Sequence, residues 1–224
     1  MPQVIYVSKA GKAKGQTLFA AHLATILAEN KKTALVDFNP QNHQLEMFVA
    51  KRHHFNLKEK QKLPIPAYIA YQKSNFAEAI SKYNFVVLDC SDPALLKEAD
   101  ILITLVREPS AALDLANQKS DISTTIWNAK KSRAAKGKNA FKHIIIPTIS
   151  FDKQTAQKLQ KSAQQMGYAV APVLEENKAY ADGLAQGIGV LDKNLPFFNN
   201  KFSETDFFAR RNLKQILEFI FADK

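Results

Sequence analysis

The chain has 224 residues, 46% apolar and 23% charged, which is enough for one buried core and unlike disordered or fibrous compositions. No apolar run approaches the ~20 residues that cross a bilayer. The opening Met-Pro-Gln-Val-Ile has no secretory pattern, and the lone Cys90 excludes an internal disulfide, so a cytoplasmic protein is expected. Lys and Arg outnumber Asp and Glu by 31 to 21, so attraction to a polyanion stands beside plain solubility as a reading of the charge.

In chain order, Val4–Val7 reads as a strand and Thr17–Glu29 as a helix, with Phe19, Leu23, Ile26 and Leu27 on one face. "KKTALVDFNPQ" is a buried-type strand ending at Asp37, followed by a turn at Pro40. His43 to Lys62 is polar and basic, irregular or helical. "NFAEAISKY" predicts a short helix and "NFVVLDCSDP" a third strand. "ADILITLVREP", "HIIIPTIS" and "YAVAPVL" predict three more. Helices are expected over "LANQKSDISTTIWNA", over Asp152–Met166 and at the end, where Leu213, Ile216, Leu217, Ile220 and Phe221 keep helical spacing. Continuous apolar strands alternating with helices predict a single α/β domain over residues 1–224, a doubly wound, mostly parallel sheet with helices on both faces. In such sheets ligands sit beyond the carboxyl ends of the strands.

Three loops leave from those ends. "SKAGKAKGQT" (Ser8–Thr17) joins a strand to a helix through Gly11 and Gly15, the outline of an anion cradle built from backbone N–H groups. "ALVDFNPQN" and "YNFVVLDCSDP", followed by "ADILITLVREPSAALD", complete a pattern that resembles the ParA/MinD family of P-loop ATPases with a deviant Walker A motif. "APVLEENKAYADGLAQGIGVLD" (Ala171–Asp192) is similar to a late segment of the small plasmid-partition members. The resemblance spans almost the whole chain and implies a P-loop NTPase fold that binds ATP or ADP with Mg²⁺.

Carried over residue by residue, the resemblance places the nucleotide-binding loop on Gly11, Lys12, Ala13, Lys14, Gly15, Gln16 and Thr17, with Thr17, Asp37 and Asp89 near any Mg²⁺. Several positions depart from the family pattern. Gln16 replaces the Walker lysine that contacts the β- and γ-phosphates and brings no charge. Gly11 replaces the signature lysine that reaches across a dimer. Lys12 and Ala13 replace two glycines. Asn39 replaces an acid that helps position the attacking water, leaving no catalytic residue in place. A rival register sets Lys9 and Lys14 on the two lysines but needs a shortened loop. The expectation is a pseudo-ATPase, because most of the electrostatics of phosphoryl transfer is missing.

"KKSRAAKGKNAFK" (130–142) and "AKRHHFNLKEKQK" (50–62) concentrate positive charge. The resemblance implies nonspecific DNA contacts, expected at Lys130, Lys131, Arg133, Lys136 and Lys138, with Arg210 and Arg211 as weaker candidates; a solvated helix face is the plain alternative. Membrane targeting by the last helix is disfavoured, since its polar face is not especially basic. His53 and His54 lack the ligand cluster of a metal site. His22 is expected at a packing edge and Trp127 as a helix anchor. The functional expectation is a ParA-like partition or positioning protein serving as a DNA-associated scaffold, with a homodimer and a ParB-like or cargo adaptor as partners and nucleoid association as its place. Two alternatives stand beside it. One is an active ATPase using Lys14 or Lys12 as the substitute lysine and dimerising with ATP; the other is a nucleotide-free protein-interaction module.

Overall fold

The structure, a computed structural model, describes residues 1–192 and 203–222. Among these, seven strands form one sheet: β1 (Gln3–Ala10), β2 (Thr33–Asp37), β3 (Ala67–Ala70), β4 (Phe85–Asp89), β5 (Ile101–Val106), β6 (Lys142–Pro147) and β7 (Tyr168–Val170). Their order is β3-β2-β4-β1-β5-β6-β7, and the pairs β1–β5, β2–β3, β2–β4, β5–β6 and β6–β7 are parallel. The helices are α1 (Gln16–Ala28), α2 (Gln44–Lys58), α3 (Phe76–Ile80), α4 (Pro109–Leu115), α5 (Asp121–Ala134), α6 (Lys153–Gln165), α7 (Lys178–Gln186) and α8 (Glu204–Phe221). The expected doubly wound α/β sheet is present.

β2 and β5 are buried along their whole length, as their unbroken apolar sequences require of central parallel strands. Side chains cap several helices: Ser120 accepts from the Ser123 N–H, Asp152 from Thr155 and Asn177 from Ala179. Each such cap is worth about 1 kcal/mol. The polar segment from 43 to 62 is mostly the helix α2. The run before the basic segment is helical only from Asp121, in α5, which continues to Ala134, so Lys130, Lys131 and Arg133 belong to its last turns.

The residues group into two compact units. The first holds β2, β3, β4, α1–α3, α7 and most of α8. Here α1 is buried by Phe19, Ala20, Leu23 and Ala24. The second holds β1, β5, β6, β7 and α4–α6. There Ile126 and Ala129 of α5, with Leu159 and Ala163 of α6, join the core. Asp100 ties its lower edge, accepting from the Val4 N–H at 2.8 Å and from Arg133 at 2.7 Å.

Candidate functional site

The sheet's reversal point falls at β1 and β5, since the chain leaves β1 toward one edge and β5 toward the other. Ala10 is paired in register with Val106, which brings the two loops that follow, 11–15 and 107–108, side by side. Gly11 and Gly15 have φ of 60° and 89°, conformations that glycine adopts without a Cβ penalty. Ala13 is buried while Lys12 and Lys14 are exposed, and α1 starts at Gln16.

The loop already carries an acceptor of its own. Glu108 Oε2 accepts the Lys12 N–H at 3.2 Å, and Oε1 lies 3.7 Å from the Lys12 ammonium. A Cβ on Gly11 would stand 2.5 Å from Glu108 Oε2. Glycine at this position therefore makes room for a carboxylate as well as for the turn. Gln16 Oε1 accepts from the Ser91 hydroxyl at 3.4 Å.

In the first unit, Asp37 and Asp89 are register partners at the carboxyl ends of β2 and β4, and both are buried. Asp37 Oδ1 accepts the Asn39 N–H at 2.8 Å. The Tyr68 hydroxyl is pushed up to about 12 by burial and then by the charges of Asp37 and Glu46. Asn39 itself is exposed, and Thr17 is half-buried in the first turn of α1. Beside them Phe38 stacks on Tyr71 with ring centres 3.9 Å apart, and Phe76 meets both edge-on. That cluster follows β2 and β3 and was not anticipated, because β3 itself was not.

The basic segments look different in three dimensions. Arg133 is buried and donates to Asp100, the Asn139 carbonyl and the Lys97 carbonyl. Its expected role as a surface DNA contact does not match this geometry: it is a strut at the foot of the second unit. Lys130 is half-buried, its ammonium 4.7 Å from the centre of the Tyr168 ring and 5.4 Å from that of Phe141, and burial lowers its pKa. Lys136 and Lys138 reach Glu98 at 3.9 and 3.1 Å. Lys131 is exposed over Trp127, which is itself 57% exposed and so is not an anchor.

Arg52, read as part of a surface basic run, is fully buried. It grips Asp192 with both terminal nitrogens and donates to the Pro64 and Gly187 carbonyls. His22, expected at a packing edge, is buried too, between the Tyr180 carbonyl and the Val190 N–H. His53 and His54 are exposed on α2, and no group of three His, Cys, Asp or Glu that could hold a metal occurs among the described residues. No helix among them is long and apolar enough to cross a membrane.

No family model matches this sequence, and no curated protein is significantly similar to it. Solved structures are similar in fold. MinD from Aquifex aeolicus superposes with a TM-score of 0.58 at 15% identity, over 99% of this chain and 98% of that one. A putative plasmid partition protein from Borrelia burgdorferi bound to AMPPNP gives 0.53 at 16%, over 98% and 100%. An ATP complex of McdA from Cyanothece gives 0.54 at 16%, over 96% and 97%. The sheet order, the glycine-bearing loop after β1 and these likenesses lead to one conclusion: the chain has the fold of the ParA/MinD P-loop ATPases.

Proposed function

We propose that this chain is a ParA/MinD-family positioning protein that acts as a DNA-associated scaffold and does not turn over ATP. The fold likeness over nearly the full chain supports the family. The observation that carries the rest is the Glu108 carboxylate on the Lys12 amide. Two of the similar structures are complexes with AMPPNP and with ATP. Here an entering phosphate has to displace a like-charged group, and it meets Gln16 where a cation would offset the repulsion. Lys12, one candidate substitute, already has its ammonium beside the same carboxylate. The carboxylate of Glu108 and the uncharged Gln16 do not fit a hydrolysable nucleotide phosphate in this loop.

The test is ATP turnover by the purified chain with Mg²⁺, alongside pyrophosphate binding by calorimetry. No turnover above background is expected. Glu108→Gln is expected to bind pyrophosphate at least about tenfold more tightly than the unsubstituted chain, since a full charge is removed from hydrogen-bond distance. Steady hydrolysis by the unsubstituted chain would end the scaffold reading, and an unchanged pyrophosphate affinity would remove Glu108 from it.

The net charge of +10 supports DNA as the polyanion. Lys131 is the leading contact because it is exposed and no carboxylate faces it in the ion pairs described. Lys136 and Lys138 are next, on the condition that phosphate replaces Glu98. Lys131→Glu is expected to weaken binding of a random duplex several-fold and to flatten its salt dependence, as fluorescence anisotropy at several salt concentrations reads it. An unchanged slope would move the DNA surface elsewhere. A ParB-like or cargo adaptor would then supply the specificity that phosphate contacts lack.

A further inference from the structure

A cavity of about 330 Å³ opens in the second unit, floored by β1 and β5 and walled by α5 and the turn after β4. Its volume lies at the small end of ligand sites. Leu96, Leu102, Leu115 and Ile126 give it an apolar body, and the 42%-exposed Ile122 forms part of the lining as well. Five hydroxyl-bearing residues interrupt that body, and no carboxylate lines it.

The protons of those hydroxyls can be assigned. His143 is buried and held neutral, its pKa lowered to about 3 by burial and then by Lys130. Its Nδ1 has no hydrogen-bond partner. A proton there would bury an unpaired donor, so the proton belongs on Nε2, which faces Thr104 Oγ1 at 3.0 Å. Thr104 then donates to Ser8 Oγ at 3.2 Å, and Ser8 donates to the Ile103 carbonyl at 3.3 Å. Tyr6 donates to the Asp92 carbonyl, Thr125 to the Asp121 carbonyl and Ser91 to Gln16 Oε1. In this arrangement each hydroxyl proton in the lining points at a protein acceptor. The five oxygens keep acceptor capacity toward the cavity.

We propose that this cavity binds a small molecule with an apolar body and an N–H or O–H donor. Cations find no carboxylate in it and meet Lys9 in the lining. Its apolar body of Leu96, Leu102, Leu115 and Ile126 sets it apart from the loop beside it. Because Lys9, Ala10 and Gly11 belong to its lining, an occupant would touch the root of that loop.

Indole and N-methylindole make the test, since they share a ring system and only indole carries a donor. Titration of each into the ¹⁵N-labelled chain, followed by amide chemical shifts, is expected to give saturable shifts in β1 and β5 with indole. N-methylindole is expected to bind about tenfold more weakly, the size of one lost hydrogen bond. Ile126→Trp, which fills the cavity, should abolish indole binding, and Thr104→Val should narrow the gap between the two probes. Absence of saturable indole binding to the unsubstituted chain overturns the proposal. So does equal affinity for the two probes, or indole binding that survives in a folded Ile126→Trp. The outcome is independent of whether the chain hydrolyses ATP or holds DNA.

Discussion

Asp192→Ala is expected to destabilise the chain by about 3–5 kcal/mol, a large part of the stability of an ordinary domain. The carboxylate removed receives both terminal nitrogens of Arg52, at 2.7 and 2.5 Å, and the Gly189 N–H at 2.6 Å. Arg52 is fully buried and the Asp192 side chain is 4% exposed, so water does not take over. A guanidinium without its counter-charge keeps only the Pro64 and Gly187 carbonyls. The consequence is local as well as global. Gly187, with φ of 77°, lies so close to the backbone of Lys51 and Arg52 that a Cβ would collide with it, and the ion pair holds this turn against α2. Urea unfolding of Asp192→Ala, Arg52→Met and the double variant measures the coupling. The double variant is expected to be more stable than Asp192→Ala alone, because it no longer buries a lone charge. A loss under about 1 kcal/mol for Asp192→Ala would mean that the pair behaves like an exposed one.

That ion pair also marks where sequence reading stops. Arg52 sits in "AKRHHFNLKEKQK", a composition that describes a wet surface, and its partner lies 140 residues away. Arg133 is the same case, enclosed by Asp100 and two carbonyls. Charge runs record composition, while burial depends on which residue of the run faces the core. At i−4 and i+4 from Arg52 stand Phe48, buried, and Asn56, which bonds Leu63 at both ends of its amide. That stripe is the signal that separates Arg52 from its neighbours. The strands were legible because a parallel sheet covered on both faces demands unbroken apolar runs, and "TALVD" and "ILITLV" are buried throughout. β3 escaped because "AYIA" is short, follows Pro64 and Pro66, and is half-buried along its length.

The loop after β1 was readable as a cradle from its glycines and its place between strand and helix. Its occupant was not. Glu108 follows β5, 96 residues on, and only the register of Ala10 with Val106 brings it to Lys12. With that contact in view, Gly11 no longer looks like a simple loss of a lysine. A side chain there would strain a φ of 60° and press on Glu108. The departure at 11 thus belongs with Glu108, which lies inside the segment "ADILITLVREPSAALD" but carries no assigned role there.

Folding stability is expected to fall by about 3–4 kcal/mol as pH drops from 6.5 to 5, through two buried histidines. Burial lowers His22 to about 4, opposed by its bond to the Tyr180 carbonyl and by Asp192, and reinforced by Arg52. His143 is lowered to about 3, by burial and then by Lys130. About a unit or more above pH 6.5 both histidines are neutral whether the chain is folded or not, so their contribution is constant there. Between 6.5 and the folded values the unfolded chain takes up protons that the folded chain refuses, and stability is lost as pH falls. Each group contributes about 1.4 kcal/mol per pH unit once well below 6.5. Ordinary carboxylates titrate near 4, which leaves the window from 5 to 6.5 to histidine. The folded state gives the reason for the refusal. His22 donates through Nε2 to the Tyr180 carbonyl and accepts the Val190 N–H on Nδ1 at 3.3 Å, so a second proton would set two donors face to face. Urea midpoints taken across this window for the unsubstituted chain and for His22→Gln are expected to differ in slope by about half, since glutamine keeps a donor and does not titrate. Equal slopes would show that the Gly189–Val190 turn yields on protonation and that His22 titrates in the folded chain as it does in the unfolded one.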